Sequence, residues 1–316
     1  MKKMEDIGEL AAIRRILARL PERADIRRGA GDDCAVVRGA DRRWDWLLTS
    51  DPVIEGVHFA AGTPRAAVGR KAVGRILSDL AAMGGEPQWA LLDVVAPPAM
   101  PVAHLDALYD GLLPLANRFG MAVVGGDLAS GQRLEVHAFG VGRVPAGRAV
   151  LRSGARPGQG VYVTGSLGGS VRGKHLRFVP RLREGAWLRD WATAMIDVSD
   201  GLASDLRHII EESGVGARID LPRLPVSRAA AALRDGRGPL AHALHDGEDF
   251  ELLFTIPAAR EPAFAAAWRR TFKLRCSRIG SVTRRAGVLE CVDPSGRVSR
   301  LTDTGYQHFA AKEKNR

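Results

Sequence analysis

The sequence predicts a soluble α/β (α+β) chain of two domains, and three observations carry that expectation. First, its 316 residues exceed what one hydrophobic core commonly organises. Second, short apolar strands alternate with segments of helical periodicity in both halves, though not in the regular βαβ cadence of a doubly wound sheet. Third, a Gly-, Arg- and Pro-rich stretch, GRAVLRSGARPGQG at 147–160, breaks the pattern near the middle. We therefore divide the chain into an N-terminal domain, 1–148, and a C-terminal domain, 149–316.

The elements follow in order. Ile7, Leu10, Ile13 and Leu17 recur at helical spacing, so 5–20 reads as an amphipathic helix. Strands are expected at Cys34–Val37 and Trp46–Thr49. Pro64 opens a helix that runs through Ala81 and stops at Gly84-Gly85. Gln88–Val95 reads as a strand, Pro101–Phe119 as a helix, and Met121–Val124 and Leu134–Val144 as two further strands. The second domain starts with the strand Val161–Thr164. Ala194–Ile196 is a strand leading through Asp197-Val198-Ser199-Asp200-Gly201 into a helix that ends near Ser213. Later strands are expected at Phe250–Ile256, Arg275–Ile279 and Val288–Val292.

Composition excludes several classes. No apolar run approaches the roughly 18–20 residues of a spanning helix, and the acidic N-terminus lacks a signal-peptide core, so we expect a cytoplasmic protein without a membrane partner. Cys34, Cys276 and Cys291 are odd in number and widely spaced, which argues against a disulfide framework or a thiolate zinc site. The net charge of +10 raises the question of nucleic acid. However, the arginines are dispersed and only 6% of the residues are aromatic, so base-stacking is poorly supplied and no nucleic-acid partner is expected.

The chemistry lies in acids that recur near the ends of short strands beside Gly or Ser: Gly31-Asp32-Asp33, Thr49-Ser50-Asp51, Ser78-Asp79, Gly125-Gly126-Asp127 and Asp197-Val198-Ser199-Asp200. Hard cations such as Mg2+ prefer oxygen ligands and are commonly shared between carboxylates and substrate phosphates. Neighbouring glycines let a phosphate approach the backbone. Phosphoryl transfer needs positioning and charge neutralisation more than a protein nucleophile, and no Ser-His or Cys-His pair stands out. Taken singly, each motif has a plainer reading: a turn at Asp32-Asp33, a helix cap at Ser199 or Asp200, a surface ion pair at Asp79, a hairpin turn at Gly126-Asp127, a solvated turn at 245–249. Together they point to one acidic, phosphate-handling site. Gly168-Gly169-Ser170-Val171-Arg172-Gly173-Lys174-His175 nearly spells a phosphate-binding P-loop, but His175 replaces the hydroxyl residue that motif requires.

The ordered set of motifs resembles the thiamine-monophosphate kinase family, in the superfamily of aminoimidazole ribonucleotide synthetase and selenophosphate synthetase. The matching stretches are GDDCAVV (31–37), TSDPVIEGVHF (49–59), KAVGRILSDLAAMGGEP (71–87), GGDLASG (125–131), GRAVLRSGARPGQGVYVTG (147–165), IDVSDGLASDL (196–206), DGEDFELLFT (246–255) and TGYQHF (304–309). The resemblance implies an aminoimidazole ribonucleotide synthetase-like fold. Its N-terminal domain binds ATP and Mg2+ and carries a mixed sheet that pairs across a homodimer; a C-terminal α/β domain completes the site. It implies direct transfer of the terminal phosphoryl group of ATP to thiamine monophosphate, with several Mg2+ ions. By matched position it implies Asp33, Thr49, Ser50, Asp51, Asp79, Asp127, Asp197 and Asp200 as metal ligands, some acting through water or a backbone carbonyl. The nucleotide contacts would be Tyr109, Gly126, Asp127, Arg152 and Ser199, and the acceptor would be held by His58, Glu248 and Tyr306. A selenophosphate synthetase is disfavoured because no cysteine precedes Cys34.

Overall fold

The computed structural model describes residues 3–21 and 23–302. After a helix α1 (Met4–Leu17), broken at Gly8, whose φ of 70° lies outside the helical region, the first half builds a sheet of six strands. These are β1 (Ile26–Arg28), β2 (Ala35–Arg38), β3 (Trp44–Ile54), β4 (Glu86–Ala96), β5 (Ala122–Ser130) and β6 (Glu135–Pro145), in the order β1-β2-β3-β6-β4-β5. All neighbours are antiparallel except β4 and β5. Helices α2 (Arg65–Ala82) and α3 (Val102–Arg118) cross over between strands. They approach so closely that a Cβ on Gly69 would lie 2.0 Å from the Leu108 carbonyl oxygen, and one on Gly111 1.8 Å from that of Ala66.

The strands are longer than their apolar runs. The polar triplet Thr49-Ser50-Asp51 interrupts the apolar alternation, but the ladder from β3 to β6 continues through it, from Trp44 opposite Pro145 to Ile54 opposite Glu135. Likewise Gly126-Asp127 is not a hairpin turn but lies inside β5, paired with Leu92 and Asp93. Alternation then assigns faces. Leu47, Val53, Leu92, Val136 and Ala138 are buried on one face, whereas Leu48, Leu91 and Phe139 are exposed on the other; Leu128 lies opposite Val94 on the buried face but is exposed because β5 is an edge strand.

The second half forms a sheet of seven strands in the order β13-β12-β9-β11-β7-β10-β8. These are β7 (Gly160–Thr164), β8 (Ala194–Asp197), β9 (Gly216–Asp220), β10 (Leu252–Ile256), β11 (Cys276–Thr283), β12 (Leu289–Val292) and β13 (Val298–Arg300). Between them lie the helices α4 (Lys174–Arg177), α5 (Leu182–Leu188), α6 (Leu202–Ser213), α7 (Arg228–Ala232), α8 (Pro239–His245) and α9 (Glu261–Thr271). The strands β7 and β10 and the edge strand β8 are buried along their whole length, which fits their nearly continuous apolar sequences. α6 packs Leu202, Leu206, Ile209 and Ile210 inward and ends on Gly214 at φ 65°, the left-handed cap glycine adopts without strain.

One apolar core joins the halves. Ile76, Leu77 and Leu80 of α2 share a cluster with Met195, Phe254, Phe264 and Trp268. α2 therefore lies between the two sheets, and the cleft beside it collects side chains from both halves. A second cluster, around α6, belongs to the second half alone.

Candidate active site

At the middle of the cleft, Asp33 from the β1–β2 loop, Asp79 from α2 and Asp197 from the end of β8 converge. One carboxylate oxygen from each lies within 4.8 Å of the others. Ser78 donates its hydroxyl to Asp197 Oδ2 at 2.5 Å, and the Thr49 hydroxyl donates to Asp79. Asp33 Oδ1 accepts Arg152 Nη2 at 2.7 Å, while its Oδ2 is buried without a hydrogen-bond partner. Burial raises all three pKa values. Asp197 rises to about 7, with the Asp33 charge adding to burial. Asp79 is pushed well above the usual range by burial and then by Asp51, Asp197 and Asp33. Asp33 is raised by burial against the pull of Arg152. Carboxyls this crowded cannot all ionise in a low-dielectric setting unless a cation joins them. With its all-oxygen donors and its orphaned oxygen, the cluster fits a hard divalent ion.

Asp32 is a tether rather than a solvated turn. Its carboxylate accepts the Arg152 backbone N–H at 3.1 Å and pairs with Arg28 at 3.4 Å. Burial, then the charge of Asp33, lifts it to about 7. Asp51 points to the same side of β3 as Thr49, and its Oδ1 accepts Arg75 Nη2 at 2.8 Å. Ser50, between them, is exposed on the opposite face, so only its backbone is available to this cluster.

Next to the cluster is a cavity of about 390 Å3 between the halves, lined among others by Val57, His58, Arg75, Ser199, Asp200 and Glu248. Glu248 Oε1 lies 2.5 Å from the ammonium of Lys71, and Oε2 lies 3.2 Å from His175 Nδ1. Burial alone would raise the Glu248 carboxyl, but the His175 hydrogen bond and the Lys71 cation together hold it at about 2. Its backbone sits at φ 63°, a strained conformation for a non-glycine residue costing about 1–3 kcal/mol. The Glu248 N–H donates to the Ser199 carbonyl at 2.7 Å, fixing the two walls to each other. His58 Nδ1 accepts the Ile54 N–H at 3.0 Å, so in the neutral ring the proton is on Nε2.

Asp200 forms a second group with Asp205 and His208 at the start of α6. Asp205 Oδ2 accepts the Asp200 N–H at 3.2 Å. Burial and then Asp200 push the Asp205 carboxyl well up, and burial lowers His208 to about 4. The near P-loop is used otherwise: Lys174 donates to the Ser166 carbonyl at 2.7 Å and to Asp249 at 3.1 Å. The 246–251 segment is likewise no solvated turn, since Asp249 and Glu251 are buried.

Not every expected residue joins this cleft. Tyr109, Gly126 and Asp127 line a separate groove of about 480 Å3 with Leu92, Val123 and Leu128. Asp51, Ala138, Leu92 and Gly126 form one row across β3, β6, β4 and β5, so Asp51 and Gly126 are separated by three strand spacings, about 14 Å. A Cβ at Gly126 would strike the Leu92 carbonyl at 1.8 Å, which explains glycine there. Tyr306 lies outside the described residues. Conversely, Lys71, Arg75 and Asp205 were not singled out in the sequence, and His175 was named only as the residue that breaks the P-loop pattern. Lys71, Arg75 and Asp79 are spaced by four on α2, a charged stripe that could have revealed them.

Residues 31–144 match the family described as AIR synthase related protein, N-terminal domain, and residues 172–291 match its C-terminal domain. The chain is similar to the thiamine-monophosphate kinase of Escherichia coli (strain K12), 37% identical over 96% of this chain and 98% of the relative. It is 32% identical to that of Aquifex aeolicus (strain VF5), over 97% of this chain and 100% of the relative. A solved structure described as AaThiL complexed with AMPPCP and TMP superposes with a TM-score of 0.85 at 31% identity, covering 98% of this chain and 99% of that one. The crystal structure of thiamine-monophosphate kinase from Stenotrophomonas maltophilia K279a gives 0.74 at 33% identity, covering 93% and 98%.

Proposed function

The chain belongs to the thiamine-monophosphate kinase family, and from that membership and the cleft's geometry we propose that it transfers the terminal phosphoryl group of ATP to thiamine monophosphate, yielding thiamine diphosphate. The observation that carries this reading is the continuity of the cleft. A buried triad of carboxylates, Asp33, Asp79 and Asp197, adjoins through Asp51 and Arg75 a cavity closed by Glu248.

Asp33, Asp79 and Asp197 would hold Mg2+, with Asp51, Thr49 and the Ser50 backbone beside them and Asp200 at the mouth of the cavity. When bound, the ions supply positive charge between two phosphate-bearing substrates that otherwise repel. Thr49 and Ser78 orient the carboxylates by donating to them. Arg152 neutralises Asp33 and, with Ser199, stands where nucleotide phosphates would lie. Tyr109, Gly126 and Asp127 serve the far end of the nucleotide. Asp127 would hold a cation beside Gly126, at the β5 end of the row that begins at Asp51.

Glu248, held ionised by Lys71 and His175, faces a substrate whose ring carries a fixed positive charge. His58 presents an N–H to the same cavity; Tyr306, outside the described residues, is assigned to the acceptor by the family resemblance alone. The acceptor is an oxyanion at neutral pH and needs alignment rather than deprotonation, so transfer is direct and no phosphoenzyme forms.

We assign nucleotide, metal and dimerisation functions to residues 1–148 and completion of the site to 149–316. The exposed apolar side chains Leu48, Leu91 and Phe139 on one face of the first sheet support pairing with a second copy. Among the described residues no helix is long and apolar enough to cross a membrane, and we place the enzyme in the cytoplasm. Incubation with ATP, Mg2+ and thiamine monophosphate, followed by chromatography for thiamine diphosphate, tests the activity.

A further inference from the structure

Arg75 has no part in the roles assigned above, yet it occupies the junction of the site. It sits on α2 four residues after the fully buried Lys71 and four before Asp79, and it lines the cavity. Its Nη2 donates to Asp51 at 2.8 Å. Nη1 stands 3.6 Å from Glu248 Oε1, beyond hydrogen-bond reach. Nε is buried without a partner. Glu248 is already matched by Lys71 and His175, so neutralising that carboxylate does not require Arg75.

The reaction fixes what must lie here. The acceptor's ring end is held at Glu248, and its attacking oxygen must reach the γ-phosphorus beside Asp51 and the triad. The acceptor's own phosphate therefore lies between Glu248 and Asp51, where the guanidinium is. A planar fork of N–H donors with uncommitted positions matches a phosphate dianion better than any other side chain.

We infer that Arg75 grips the phosphate of the acceptor and aims its oxygen at the γ-phosphorus, an inference that rests on the kinase reading above. In that step the acceptor oxygen forms a bond to the γ-phosphorus as the bond to the β,γ-bridging oxygen breaks, and the electron pair leaves with ADP. No proton moves, because the acceptor phosphate is largely dianionic above its second pKa of about 6.

The test compares thiamine monophosphate with thiamine, which lacks the phosphate. Binding of each is measured calorimetrically, with Mg2+ present, to the wild-type chain and to the Arg75→Gln and Arg75→Lys variants; kinetic constants for ATP and thiamine monophosphate are measured alongside. Arg75→Gln should weaken thiamine monophosphate by about 10- to 100-fold, the range for a lost charged hydrogen bond, while thiamine binding and the KM for ATP stay within about twofold. Arg75→Lys keeps the charge but not the fork and should lose at least about threefold in the same discrimination, which keeps the test open if the glutamine variant does not fold. Equal weakening of thiamine and thiamine monophosphate, or no change in either, would overturn the inference. A wild-type chain that neither binds nor phosphorylates thiamine monophosphate would remove the kinase reading and this inference with it. A wild-type chain that does both, beside an unchanged Arg75→Gln variant, would remove the inference alone.

Discussion

Replacing Asp197 by asparagine keeps the shape of the side chain and its acceptor for the Ser78 hydroxyl but removes one charge from the triad. In the folded protein its carboxyl titrates at about 7 instead of 3.8, because of burial and the neighbouring Asp33. Between these values the folded chain binds more protons than the unfolded one, so stability falls as pH rises through that window and levels off above it. The displacement from 3.8 to about 7 corresponds to roughly 4 kcal/mol of stability lost by pH 8. Asp33 shares the repulsion, so about half, ~2 kcal/mol, is assigned to Asp197 itself. At about 2–4 °C per kcal/mol, Asp197→Asn without divalent cations at pH 8 should melt roughly 4–8 °C above the wild type. Added Mg2+ should reverse the order, since the wild type gains a ligand-bound state that the variant has lost in part. The assay is thermal unfolding at pH 5 and pH 8, with EDTA or with Mg2+; at pH 5 the gap should shrink. A variant that melts lower than the wild type in EDTA at pH 8, yet gains as much from Mg2+, would refute the reasoning.

Other consequences are simpler to read. Asp51→Asn and Asp79→Asn should each lower turnover at least about tenfold, and near-wild-type rates at low Mg2+ in both would remove them from the metal site. Tyr306→Ala, and truncation after Thr304, should raise the KM for thiamine monophosphate with that for ATP nearly unchanged, whereas truncation after Ala311 should be silent; loss of affinity for both substrates would indicate misfolding instead. The proposed pairing predicts that the wild type sediments as a dimer and Phe139→Asp, placed on the exposed apolar face, as a monomer; a monomeric wild type, or a variant that stays dimeric, would remove that interface.

Much of this was legible in the sequence, and the gaps have physical causes. Pro64 and Gly84-Gly85 bound α2 in the sequence, and both α2 and α3 appear close to where the sequence places them. β3 and β5 were cut short because the functional triplets Thr49-Ser50-Asp51 and Gly125-Gly126-Asp127 break the apolar alternation. Backbone pairing does not depend on side-chain polarity, and the ladders run on. β9 carries Arg218 amid small residues and ends in Asp220, so its alternation is weak, and only its neighbours β11 and β12 define it as a strand. Two acids of the triad were legible because Asp33 stands beside another acid and Asp79 beside Ser78, and Asp197 because it ends an apolar strand and opens Asp197-Val198-Ser199-Asp200. Arg75 was not, being one arginine in a chain with 46 basic residues, and its role depends on Asp51 and Glu248 meeting across the cleft. The separation of Tyr109, Gly126 and Asp127 from the triad follows from strand order, which the sequence pattern does not encode.

The central claim is direct phosphoryl transfer to thiamine monophosphate, and one isotope experiment tests it. The purified chain is given ATP labelled in the γ-phosphate together with Mg2+, first alone and then with thiamine monophosphate. The account predicts no labelled protein in the first stage. In the second, the label should appear in the terminal phosphate of thiamine diphosphate in step with ADP formation. A labelled protein that chases into product would contradict direct transfer, and ADP and free phosphate without labelled thiamine diphosphate would contradict the activity itself.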